Sequence, residues 1–143
     1  MRRLLTIAFL LLSSICWGQE KFLGKWDGGI CHFDPTATPM NTWVAPLRVE
    51  FYMDKDNQFQ ARLFDLQNRT FGLVDGSFKP PDIVTGKFEG NYEIKFHNYG
   101  TKLHGRGSYK PDTYDTAIFF RAAEGDSLQD FVRKNPKFCD DNQ

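Results

Sequence analysis

Three histidines, His32, His97 and His104, are the side chains in this sequence best suited to metal or proton chemistry, because neutral imidazole ligates metals and titrates near neutral pH. Their spacing does not gather them: none stand two apart as on one face of a strand, or four apart as on one face of a helix. His97 and His104 flank a short turn segment, residues 98–102, and could come opposite each other on sequential strands. Asp54-x-Asp56-Asn57 opens like a calcium loop but lacks the downstream glycine and the closing bidentate glutamate, so it reads as a hairpin turn. Asp112, Asp115, Glu124 and Asp126 are carboxylates near strand ends, and no spacing selects two of them as an acid–base pair. There is no Gly-x-Ser-x-Gly elbow, phosphate loop or HExxH pair. The chemistry-bearing residues therefore predict a non-catalytic protein with no catalytic residues, no metal site and no cofactor.

The cysteines take their meaning from the N-terminus. Arg2 and Arg3 precede an apolar run over residues 4–12, and Ser13, Ser14 and Gly18 follow as small residues, the pattern of a signal peptide over residues 1–18. The apolar run is shorter than the roughly 20 residues a membrane-spanning helix needs, so no membrane span is expected. Cleavage after Gly18 leaves residues 19–143 as a single domain in a secreted or periplasmic setting, and removes Cys16. Cys31 and Cys139 then form an even pair in an oxidising compartment, which predicts one disulfide tying the C-terminal tail to the first strand. In the chain-entropy model such a long loop contributes on the order of 4 kcal/mol.

Lys and Arg total 18 and so do Asp and Glu, without basic clusters along the chain, so binding to nucleic acid is not expected. Fourteen phenylalanines in 143 residues argue instead for a folded, aromatic-rich core.

The elements that must position these residues are almost all strands. Leu47-Arg48-Val49-Glu50-Phe51-Tyr52-Met53 alternates apolar and polar side chains, and residues 59–63 repeat the alternation after a polar turn, which predicts an antiparallel hairpin. Further strands are expected over residues 71–78, 83–88, 92–99, 103–109 and 116–122, separated by connections too short for crossover helices. With a first strand over residues 25–33 this makes about eight. The predicted fold is all-β, an eight-stranded antiparallel up-and-down barrel, with a two-sheet β-sandwich as the alternative. One helix is expected over residues 128–134, capped by Asp126-Ser127 and ended by Pro136. Ile118-Phe119-Phe120 is apolar on both faces, so one ring should point outward under that helix, with Phe131 as neighbour. Residues 34–46, with Pro35, Pro39 and Pro46, read as a long loop after the first strand.

Gly24-Lys25-Trp26 on the first strand resembles the Gly-x-Trp signature of lipocalin-like, calycin-type barrels. The resemblance implies that Trp26 closes the barrel base and that a basic residue late in the last strand, here Arg121, packs across it. It also implies a first loop acting as a lid and a disulfide holding the C-terminal tail. The Thr-Asp-Tyr-like motif of lipocalins is not found in the middle of the chain.

Ligand binding inside the barrel is the expected function, with a small apolar molecule contacted by Phe51, Met53, Phe59, Leu63, Phe96 and Leu103 and covered by Met40 and Trp43. The alternative is a solid barrel acting as a protein-interaction or protease-inhibitor module through residues 34–46, anchored by Trp43. A monomer is expected in either case. Asn68-Arg69-Thr70 fits the N-glycosylation pattern.

Overall fold

The computed structural model describes residues 20–79, 83–88, 92–109 and 114–142, with the backbone alone described for residues 71–79, 88, 92, 109, 114 and 115. The expected signal peptide lies outside the described residues. Eight strands follow one another: β1 (Gly24–Phe33), β2 (Asn41–Met53), β3 (Phe59–Phe64), β4 (Thr70–Lys79), β5 (Ile83–Phe88), β6 (Tyr92–Asn98), β7 (Lys102–Tyr109) and β8 (Tyr114–Ala122). Each is antiparallel to the next, and β1 pairs with β8, so the sheet closes into a barrel without edges. Among the described residues, helix α1 (Leu128–Lys134) and a short 3-10 turn (Asp140–Asn142) follow.

The turns explain the meander. Asp54 and Asp65 begin two hairpin turns of the same design, eleven positions apart. In each, the aspartate Oδ1 accepts backbone N–H groups two and four residues on, at 2.9 Å, and the asparagine three residues on, Asn57 or Asn68, takes φ 58°. Asparagine tolerates this left-handed conformation better than most residues. Asp54-x-Asp56-Asn57 is thus a turn held by its own aspartate.

Closure at the β1–β8 seam depends on Gly28. A Cβ there would run into the Phe119 carbonyl, so only glycine lets the two backbones approach this closely.

The strand read as starting near Leu47 begins at Asn41, which corrects the long-loop expectation: only residues 34–40 lie outside the ladder. Pro46 and the mixed polarity of residues 41–46 hide this strand. Pro46 is tolerated opposite Gly29, and the register jumps so that Cys31 faces Trp43 and Val44 bulges out, exposed.

Two apolar clusters result. The inner one holds Phe22, Trp26, Leu47, Val49, Phe51, Ala61, Leu63, Val84, Ile94, Phe96, Leu103, Ile118 and Phe120. The outer one is built on Cys31, Phe138 and Cys139, with Trp43, Ala117, Phe119 and Phe131 packed against it, so the C-terminal segment covers the outside of β1, β2 and β8. Phe119 is the ring that points outward. Ser127 caps α1 by accepting the Asp130 N–H at 3.2 Å, and Gln129 ties the helix to the β3–β4 turn through the Leu66 carbonyl. The disulfide joins Cys31 to Cys139.

Candidate functional site

Alternation sends Phe51, Leu63, Phe96 and Leu103 into the barrel, where each is almost wholly buried, with Phe59 partly buried beside them. These side chains meet one another. Phe51 stacks on Phe59 at 5.6 Å between centroids and meets Phe96 edge-on at 6.2 Å, and Phe96 meets Phe120 at 5.5 Å. Phe22, from the segment before β1, completes the set by contacting Phe51 and Phe59. Its carbonyl accepts the Trp26 indole N–H at 2.8 Å, so Phe22 and Trp26 together shut this end. Met53, at the end of β2, is half-buried. Asn98 belongs to the same closure: it donates to the Lys21 carbonyl at 2.9 Å and accepts the Gly100 N–H at 2.7 Å.

The two residues expected as a lid do not form one. Trp43 lies on the outer face, stacked on Phe138 at 5.2 Å, and donates its indole N–H to the Pro136 carbonyl at 3.2 Å. It anchors the C-terminal tail to β2, because the bulge at Val44 sets it facing Cys31. Met40 is exposed at the root of the first loop. That loop is closed on itself by the Asp34 N–H to Met40 carbonyl bond at 2.8 Å. Thr36 donates its hydroxyl and backbone N–H to Asp34, which holds the Asp34 carboxyl below its ordinary range.

Arg121 sits apart from Trp26. Its neighbour Phe120 points inward, so Arg121 points outward, and its guanidinium lies 5.0 Å over the Phe138 ring. The basic residue that the resemblance sets across Trp26 is here part of the outer cluster.

Beside the first loop, an open cleft of about 580 Å³ is lined by Phe33, Met40, Asn41, Arg106, Ala117 and Phe119, among others. Phe33 is half-exposed and Met40 partly so, an apolar rim facing solvent. Asn41 is buried at the cleft wall, donating weakly to the Asn142 carbonyl at 3.4 Å, while its Oδ1 has no partner among the described residues.

One buried pair escaped the sequence reading. Alternation marks Arg48 as solvent-facing, yet Asp27 and Arg48 are 1% and 6% exposed on the outer face. Arg48 Nε and Nη2 donate to the two Asp27 carboxylate oxygens at 2.5 and 2.8 Å, Nη2 also donates to the Gly125 carbonyl at 2.9 Å, and Nη1 donates to the Asp126 carbonyl at 2.8 Å. The Asp27 hydrogen bond, against the cost of burial, raises the Arg48 pKa. The sequence carries no signal for this pair beyond two opposite charges on neighbouring strands.

His97 and His104 do stand opposite each other across β6 and β7. His32 is exposed on β1, remote from them in the ladder. Among the described residues no group of three or more His, Cys, Asp or Glu side chains could hold a metal ion. Asp112 lies outside the described residues, Asp115 is described in backbone only, and Glu124 and Asp126 are exposed in the segment before α1. No protein-family model matches the chain, and no curated protein matches it in sequence.

Proposed function

We infer that this is an exported, non-catalytic binding module that engages a protein partner with the outside of its barrel, around the first loop. The observation that carries this reading is the mutual contact of Phe22, Phe51, Phe59, Phe96 and Phe120, which spends on packing the rings that a ligand-carrying barrel would turn toward its ligand. Phe33, Met40 and the cleft beside them supply an apolar surface rimmed by polar groups, the usual form of an interface centre. Asp34 and Thr36 order the loop before any partner arrives, which lowers the entropy lost on binding. Trp43 serves as the loop's foundation.

The barrel shut by Trp26 supports kinship with lipocalin-like barrels, and the Cys31–Cys139 disulfide supports an oxidising compartment. Affinity capture from the native extracellular fluid tests the reading, comparing the parent with a variant in which residues 35–39 are replaced by a short Gly/Ser turn. A partner retained by the parent and lost by the variant is the expected result. Equal capture by both would refute it. Native mass spectrometry of the same preparation is expected to show the bare chain, and a stoichiometric small molecule would restore the carrier reading.

A further inference from the structure

We propose that the outer face of β6 and β7, with the neighbouring groove on β5, is a binding surface for an acidic polysaccharide. The register creates it. Lys95 stands directly opposite Arg106, His97 opposite His104, and Lys102 opposite Arg121, whose guanidinium turns away over Phe138. Like charges placed directly across a ladder repel, so the Lys95–Arg106 pair costs stability unless an anion lies between or over it. Lys95, Lys102 and Arg106 are exposed, and among the described residues no salt bridge joins any of them to a carboxylate. Of the carboxylates near this face, Glu93, two residues from Lys95, pairs with Lys87 at 3.9 Å, and Asp115 occupies the register position opposite Ser108.

Two features select a polysaccharide over other polyanions. A groove of about 410 Å³ runs beside Lys95 and Arg106, lined also by Thr85, Lys87, Glu93 and Ser108, a mixture of donors and acceptors suited to sugar hydroxyls. Tyr99 is 67% exposed, and its ring lies near both histidines, 6.3 Å from His97 and 5.5 Å from His104, a platform on which a sugar ring can stack. The whole chain has no net charge, so long-range attraction to any polyanion is weak, and binding must come from local contacts such as these. Arg106 also borders the cleft beside the first loop, whereas Lys95, Lys102 and Tyr99 do not line it, and the proposal does not depend on the role given to that loop.

The test is calorimetric titration of the disulfide-bonded protein with two probes, a sulfated glycosaminoglycan oligosaccharide and an oligogalacturonate. A double variant, Lys95→Gln with Arg106→Gln, should weaken binding of both by roughly ten-fold or more, the loss expected for two charge-assisted contacts. Tyr99→Ala should weaken both probes several-fold. A control with the same charge change elsewhere, Lys55→Gln with Lys134→Gln, should bind like the parent. The neutralising pair relieves repulsion, so it should fold at least as stably as the parent, which circular dichroism checks. Equal weakening by the two double variants, no binding of either probe, or tighter binding of duplex DNA or phosphatidylglycerol vesicles would each overturn the proposal.

Discussion

Arg48 grips both carboxylate oxygens of Asp27 on the outside of the barrel, and the loop leading to α1 buries the pair. The guanidinium also holds the Gly125 and Asp126 carbonyls, so one side chain joins β1, β2 and the path to the helix. The ion pair is therefore a fastening for the C-terminal segment more than a source of net stability, since burying two charges costs much of what their attraction returns.

Removing one partner should show this asymmetry. Arg48→Met leaves Asp27 buried and unpaired and is expected to destabilise the protein by about 3–5 kcal/mol in urea unfolding. The double variant Asp27→Leu with Arg48→Met should recover part of that loss. Recovery stays incomplete because the two carbonyls lose their donor. Full recovery would mean the carbonyl contacts contribute nothing.

The packed interior makes a prediction of opposite sign to that of a hollow one. Phe96→Ala should cost about 3–5 kcal/mol by leaving a cavity. Phe51→Trp should also destabilise, by about 1–3 kcal/mol, because there is no room for the extra ring. A Phe51→Trp variant as stable as the parent in thermal unfolding would indicate empty space inside the barrel.

How far the sequence was legible follows from which neighbours act on each residue. Strands β5 and β6 and helix α1 are read almost to the residue, because alternation, short turns and the Ser127 cap are local signals. The start of β2 is not, because Pro46 and the bulge at Val44 break the alternation, and what holds residues 41–46 in the ladder is Gly29 and Cys31 on another strand. Trp43 is recognisable as a large apolar residue in a polar stretch, but its partners Pro136 and Phe138 arrive from the far end of the chain. For Arg48, alternation reports the correct face while concealing that the loop before α1 covers it.

The two asparagine turns can be tested together. Asn57→Ala and Asn68→Ala should each cost about 1–2 kcal/mol, the penalty for an ordinary side chain at φ 58°, whereas Asn→Gly at either site should be close to neutral. Urea midpoints of the four single variants measure this. Equal effects of alanine and glycine would place the asparagine contribution in its side chain instead.

His104 gives the stability a pH dependence of defined sign. Burial, and then the charge of Lys102, hold its pKa below the ordinary 6.5, and its ring is faced by His97, Tyr99 and Phe119, with Arg106 two residues on. As pH falls through 6.5 the unfolded chain takes up the proton before the folded one does. The contribution of His104 is therefore fully present above that pH and is lost as pH falls toward the folded-state value. His104→Gln should flatten this part of the profile of unfolding free energy against pH. A slope unchanged by the substitution would assign it to other groups.

Among the described strands, the seam between β1 and β8 is the single place where the ladder joins distant parts of the chain, since every other pairing is between neighbours in sequence. Seven of the eight pairings can thus form by hairpin growth, and only the last must wait for the two ends of the strip to find each other. A chain permuted to begin within the Asp54–Gln58 turn, with the old ends joined, would make β1 and β8 neighbours in sequence and leave β2–β3 as the pairing that must wait for the two ends. Such a rearrangement moves the closing seam around the barrel while the finished ladder stays the same.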